Sequence, residues 1–206
     1  MMNENRTRGF GILEKFLSSK RARLANRLIP TKIREGAILD LGCGPYPYFL
    51  MHTKFNVKVG IDQESTIAPT KMDGIKVLHC NFVEESALPF SDRSFDAVTM
   101  LAVIEHLDGD RLVSVLNEVY RILKPGGFLI ATSPSFWTPP ILFLLSRIGL
   151  LSKLEIDDHK HTYSRSELSQ SIDRSDFSHC VRSMGHFEWG MNMWAKVTKA
   201  DIENRS

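Results

Sequence analysis

The sequence predicts an α/β fold, a mostly parallel sheet with helices on both faces. Three observations carry that expectation. Short apolar runs alternate with segments of helical period, the pattern of βαβ units. One run, Ala37-Ile38-Leu39-Asp40-Leu41, breaks into Gly42-Cys43-Gly44-Pro45, as a buried parallel strand does when it feeds a tight turn. A second run, Val57-Lys58-Val59-Gly60-Ile61, ends on an acid, Asp62.

The elements follow in order. Residues 10–29 read as an amphipathic helix with Leu13, Phe16, Leu17, Leu24 and Leu28 on one face, ended by Pro30. Strands are expected at 37–41, 57–62, 75–80 and 95–100, the last after the turn Ser91-Asp92-Arg93-Ser94. A helix over 110–123 carries Leu112, Leu116, Val119 and Leu123 as a stripe. Lys124-Pro125-Gly126-Gly127 stops it, with a lysine at the negative end of the helix dipole. A fifth strand covers Phe128 to Thr132. Ser164-Arg165-Ser166-Glu167 is a capping box that opens a short helix. Phe177 to Thr198 reads as two strands around Trp189-Gly190-Met191-Asn192.

The 206 residues suit one domain with a full core. A hydrophobic share of 43% and a charged share of 24% are those of an ordinary globular chain. The net charge of +2 gives no support for a broad nucleic-acid footprint. The charge is uneven, because residues 1–36 hold nine Lys or Arg against three Glu. Cys43, Cys80 and Cys180 form no C-x-x-C and read as free thiols, which with the absence of a secretory stretch predicts a cytoplasmic protein. The most apolar run, Pro139 to Leu151, is too short to span a bilayer, which takes about 20 residues.

The glycine turn and Asp62 point to a nucleoside. Their spacing is about the 20 residues at which a βαβ unit sets a carboxylate on ribose hydroxyls. A pyrophosphate is disfavoured, because a third glycine would fall at Pro47. A P-loop is excluded, because no phosphate-cradling lysine follows.

Four segments in order carry a family resemblance: Ile38 to Gly44, Val59 to Asp62, Leu88 to Leu107, and Arg121 to Pro134. Together they resemble the class I S-adenosyl-L-methionine (SAM)-dependent methyltransferases, in the small-molecule branch that includes quinone-biosynthesis enzymes. The resemblance implies a Rossmann-like seven-stranded, mostly parallel sheet closed by an antiparallel C-terminal hairpin. It also implies SAM as cofactor and a lid formed by residues 1–30, with 134–176 inserted on the substrate side. Tyr46 stands where many members have a further glycine.

By that resemblance Gly42, Cys43 and Gly44 approach the methionine end of SAM through their backbone. Asp40 lies near the cofactor's amino group or bonds nearby amides. Asp62 takes the ribose hydroxyls, which suits a group that only accepts hydrogen bonds. Asn81 accepts from the adenine amino group, Phe82 covers the ring, and Leu101 faces the methionine moiety. His106, after Glu105, is either an acceptor-side base or structural. His161 and Tyr163 are substrate-side candidates. Asp157, Asp158, His159 and His161 lie close together, but a metal is not expected, since the two histidines are two apart with no second cluster.

The expected activity is methyl transfer from SAM to a small-molecule acceptor, at oxygen. The acceptor is partly apolar or lipid-linked, given Phe136, Trp137 and the run 139–151, although those residues serve a core equally well. Nucleic acid is not expected, because Leu101-Ala102-Val103-Ile104 replaces the Asn/Asp-Pro-Pro-Tyr run of base-amino methyltransferases. A nucleic-acid enzyme and a catalytically silent SAM-binding protein stay as alternatives.

Overall fold

A computed structural model describes residues 12–63, 74–135 and 163–201, with the helical backbone alone for 12–15. Seven strands form one sheet: β1 Ala37–Leu41, β2 Val57–Asp62, β3 Ile75–His79, β4 Phe95–Leu101, β5 Leu123–Pro134, β6 Val181–Phe187 and β7 Asn192–Thr198. Their spatial order is β3-β2-β1-β4-β5-β7-β6. The strands β1 to β5 are mutually parallel, and β7 runs antiparallel to both of its neighbours. The expected architecture is therefore present.

Helices cover both faces, and strand alternation decides which side chain meets which helix. Leu39, Leu41, Val98 and Met100 face one core with Leu112, Leu116 and Val119 of α3 (Gly109–Ile122) and Leu168 and Ile172 of α4 (Arg165–Asp173). Ile38, Ala97 and Ile130 face the other, with Ala22 and Ala25 of α1 (Ile12–Leu28) and Phe49 and Leu50 of α2 (Tyr48–Met51). The short α2 has no counterpart in the sequence reading; four residues are too few for a periodicity.

Caps form where the sequence places them. The Ser164 Oγ accepts from the Glu167 amide and the Glu167 carboxylate accepts from the Ser164 amide. Asp108 caps α3 by accepting from the Arg111 amide at 2.8 Å.

Three expectations are corrected. The buried face of α1 is Ala22 and Ala25, continued by Ile29, not the leucine face; Leu17, Leu24 and Leu28 are half-buried and Phe16 is exposed. Small residues let the helix axis approach the sheet closely. Lys124 to Gly127 form an irregularity inside a longer β5 instead of a turn before it, because Leu123 already pairs with Phe95. Lys124 Nζ holds that bulge on Asp96 at 2.7 Å. Phe177 belongs to the turn before β6, buried edge-on against Tyr120.

The C-terminal half of α1 is bolted down. Asn26 Nδ2 donates to the His52 carbonyl, Arg34 donates to Asn26 and Thr53, and Lys196 Nζ donates to the Leu28 carbonyl at 2.7 Å. These bonds tie residues 26–28 of α1 to the rest of the domain.

The loop that leads into β4 is held by one arginine. Arg121 donates to Glu118, to Asp92 and to the carbonyls of Leu88 and Phe90. Arg121→Ala removes the donor to the Phe90 carbonyl and the cation that pairs with Glu118 and Asp92, while the Leu88 amide still donates to Glu118 and the Phe90 amide to the Leu88 carbonyl. It is expected to cost about 1–3 kcal/mol, read as a lower urea midpoint at unchanged slope.

Candidate active site

The carboxyl ends of the parallel strands make one polar edge, where open α/β sheets bind ligands. The turn after β1 is its centre. Gly42 (φ +73°) and Gly44 (φ +68°) both hold left-handed conformations. A Cβ on Gly42 would lie 2.5 Å from Val103 Cγ2, whereas one on Gly44 would meet nothing within 4 Å. The turn is tied to β2, since the amides of Gly42 and Cys43 both donate to the Ile61 carbonyl and the Gly44 amide donates to Asp62 Oδ2 at 2.9 Å. The Cys43 side chain is buried against Gly60, and burial pushes its thiol well above the ordinary range. Only its backbone faces the turn's ligand side.

Asp40 is 4% exposed and accepts from Thr99 Oγ1 at 2.6 Å. Burial, with the Asp62 charge nearby, raises its carboxyl to about 7. Asp62 is buried at the end of β2. Beyond β3, Asn81 donates its amide to Glu85, while its side-chain Oδ1 is buried without a partner. Phe82 is a core side chain in the α3-side cluster, and Arg111 donates to its carbonyl.

On the other side of the turn, Leu101 ends β4 and Ala102 takes φ +59°. That strained conformation is held by the Ala102 amide, which donates to the Thr132 carbonyl at 3.0 Å. The chain then enters the 3-10 turn Ile104–His106. Glu105 is 1% exposed, and its Oε2 has no hydrogen-bond partner among the described residues. Burial raises the carboxyl above the usual range, opposed by His106, Arg21 of α1 and Ser133 of β5. From the sequence His106 is the candidate and Glu105 only its neighbour, because an acid beside a histidine gives no sign of being buried. His106 itself is half-buried.

Tyr163 is 2% exposed, and its hydroxyl donates to the Leu107 carbonyl at 3.0 Å. Burial raises the phenol to about 12. The residue thus latches the start of α4 onto the segment that follows His106, and its hydroxyl is ill suited to take a proton. His161, Asp157, Asp158 and His159 lie outside the described residues, as does the apolar run 139–151. Among the described residues no cluster of metal-ligating side chains is present. Past β5 an open cleft of about 860 Å³ is lined by Ser135, Tyr163, Arg165, Arg182, His186 and Met193. It lies beside the carboxyl ends of β5 and β6, and neither glycine of the turn after β1 lines it.

A seven-stranded sheet with only its seventh strand reversed, a glycine turn after β1 and an acid ending β2 define a class: an α/β protein that binds a nucleoside cofactor across its strand ends. A family model described as a methyltransferase domain matches residues 39–131. The ubiquinone/menaquinone biosynthesis C-methyltransferase UbiE of Brucella anthropi is 29% identical over 153 residues, covering 72% of this chain and 51% of that protein. The probable tRNA methyltransferase 9B of Mus musculus is 30% identical over 95 residues, 45% of this chain and 20% of that one. The chain thus spans about half or less of these relatives. A SAM-dependent methyltransferase of Thermotoga maritima, described as a possible histamine N-methyltransferase, superposes with a TM-score of 0.64 at 22% identity, covering 90% of each chain. Residues 39–131 thus match a methyltransferase domain, and the chain is similar to class I SAM-dependent methyltransferases in sequence and fold.

The family's cofactor fits the residues present. The open space at Gly44 and the unpartnered Asn81 Oδ1 lie on the two sides of Asp62 along the strand ends, as an adenosine moiety requires.

Two outcomes follow. Gly42→Ala meets both Val103 and an unfavourable φ and is expected to cost about 2–4 kcal/mol. Gly44→Ala meets only the φ, at about 1–2 kcal/mol; chemical denaturation ranks the two. Asp40 keeps its proton in the folded state up to about 7 but loses it near 4 when unfolded. The folded state therefore holds the extra proton between those values, so stability falls as pH rises from about 4 to about 7. Asp40→Asn is expected to flatten that part of a stability–pH curve.

Proposed function

We propose that the protein transfers a methyl group from SAM to the hydroxyl of a small, partly apolar acceptor. The observation that carries the reading is the buried, unpartnered oxygen of Glu105 at the end of β4. A buried acceptor atom without a donor costs about 1–3 kcal/mol, and a hydroxyl or amine arriving there relieves it.

SAM supplies a methyl on a sulfonium that leaves as a neutral thioether, so alignment of donor and acceptor dominates and can contribute about 7–11 kcal/mol in favourable cases. In this reading Gly42, Cys43 and Gly44 receive the methionine portion along their backbone, beside Leu101. Asp62 holds the ribose diol while keeping the Gly44 amide in place. Asn81 Oδ1 accepts from the adenine amino group, and Phe82 backs that position from the core. Asp40 faces the cofactor's amino group; a cation there favours its ionised form, so binding releases a proton below about pH 7. Burial favours the neutral form of Glu105; in its ionised form it receives the acceptor's hydroxyl proton as the carbon–oxygen bond forms and the carbon–sulfur bond of SAM breaks, with His106 next to it in the chain. Arg21 approaches Glu105 from the middle of α1, so that part of the helix borders the acceptor side. Tyr163 positions the segment that carries His161, the remaining substrate-side candidate. The cleft with Arg165, Arg182 and His186 suits a polar or anionic portion of the acceptor.

A second reading, methylation of a tRNA, rests on the match to the probable tRNA methyltransferase. Calorimetry and label transfer separate the readings. SAM and S-adenosylhomocysteine are expected to bind and NAD not to. Asp62→Ala is expected to raise the SAM dissociation constant at least about tenfold, from the loss of hydrogen bonds to a charged group. With methyl-labelled SAM and a cell extract, label is expected in the small-molecule or organic-soluble fraction; label in RNA favours the second reading. Glu105→Gln is expected to slow that transfer by about 10²–10⁴-fold at unchanged SAM affinity. Equal rates would leave alignment as the whole of catalysis.

A further inference from the structure

We propose that the outer face of α1 and the tip of the β6–β7 hairpin form a docking surface for an anionic lipid bilayer.

The hairpin tip is built at a cost. Glu188 (φ +53°), Trp189 (φ +59°) and Gly190 (φ +83°) form three successive left-handed residues. The Gly190 amide donates to the Phe187 carbonyl and the Met191 amide to the Glu188 carbonyl. A left-handed turn favours Gly, Asn or Asp at such positions, yet the second residue is a tryptophan. Its side chain is 97% exposed, so it repays none of that strain in the folded chain. Two bonds from the end of β5 hold the tip in place: Ser135 Oγ to the Gly190 carbonyl at 2.6 Å and the Ser135 amide to the Met191 carbonyl at 2.8 Å. A rigid, strained support that projects an indole into solvent is a feature whose use lies outside the chain.

The neighbour of this tip is α1. Lys20 and Arg21 lie within electrostatic reach of Glu188. Lys20 Nζ stands 5.0 Å above the ring of Phe16, which is 52% exposed. Phe16, Lys20, Arg23 and Arg27 recur at helical spacing on the face opposite Ala22, Ala25 and Ile29, which bury against the sheet. Arg23 and Arg27 are exposed. The face of α1 therefore offers one aromatic ring and a stripe of cations, and the neighbouring hairpin tip offers a second ring, a pairing that suits the headgroup level of a membrane.

Charge selects the occupant. The chain as a whole carries +2, yet residues 1–36 hold nine Lys or Arg against three Glu, so the cations are concentrated at this end. An anionic leaflet attracts such a cluster. No helix among the described residues can cross a membrane, so the contact is peripheral.

The test is cosedimentation of the full chain with vesicles of phosphatidylcholine, with and without phosphatidylglycerol, at low and high salt. It needs no acceptor and no turnover, so its failure is separable from failure of the methyl-transfer reading. Binding is expected only with phosphatidylglycerol, weakened by salt, and accompanied by a blue shift of tryptophan emission. Arg23→Gln with Arg27→Gln is expected to weaken binding about 25-fold, about fivefold per cation. Trp189→Gly is expected to weaken it about tenfold while raising the melting temperature by a few degrees, because glycine relieves the backbone strain. A merely structural Trp189 would leave vesicle binding unchanged. No vesicle binding, equal binding to neutral vesicles, or retention on tRNA without vesicle binding each overturns the proposal.

Discussion

The turn after β1 is the constraint on which the rest of the site depends. Two amides, from Gly42 and Cys43, converge on the single carbonyl of Ile61, and the Gly44 amide is taken by Asp62. These bonds weld the end of β1 to the end of β2. They also fix Asp62 by its backbone neighbours and by its own carboxylate at once. Val103, from the segment after β4, fills the place where a Gly42 side chain would stand. One turn thereby sets the relative positions of three strand ends, and a nucleoside site needs all three.

The acids along that edge show how the protein divides stability from use. Asp40 and Glu105 are nearly fully buried, and each is pushed toward its neutral form by burial. Buried charge is costly unless it is paired, and apolar residues of similar size would stabilise the apo chain more. The two differ in one respect. Asp40 has Thr99 as a donor, whereas one oxygen of Glu105 has no hydrogen-bond partner among the described residues. The cation within reach, Arg21, sits in the middle of α1, before its anchored residues. That placement couples the charge state of Glu105 to where the helix lies.

What the sequence disclosed follows from the range of each signal. Strands β1, β2 and β4 were legible because they are buried on both faces and read as continuous apolar runs. The capping box at Ser164 was legible because it is purely local. The buried face of α1 was misjudged: alanines carry little hydrophobic weight in a pattern, yet close packing selects them. The bulge at Lys124–Gly127 was read as a stop, because the tertiary bond from Lys124 to Asp96 decides between a turn and a distorted strand. At the site, glycine spacing and Asp62 were visible at a distance of about 20 residues. Glu105 and Arg21 were not singled out, since their proximity depends on how α1 crosses the sheet. Tyr163 was singled out for its type, and its burial and bond to Leu107 recast it as a latch.

Backbone strain separates structural from functional irregularity in this chain. Among the described residues, four non-glycine residues hold positive φ: Arg93, Ala102, Glu188 and Trp189. Arg93 has a local cause, a tight turn before β4 whose amides donate to the end of α3. The other three lie at the carboxyl edge of the sheet. Ala102 redirects the chain at the end of β4 so that Glu105 is delivered beneath α1, which a straight extension of the strand would not do. Glu188 and Trp189 do the opposite, turning one side chain inward beside Asn192 and the other fully outward. Strain of about 1–2 kcal/mol at each such residue is a large share of a typical net stability of about 5–15 kcal/mol. Its concentration at one edge ties the inner site at Glu105 and the outer face at Trp189 to the same helix, α1, which lies within reach of both.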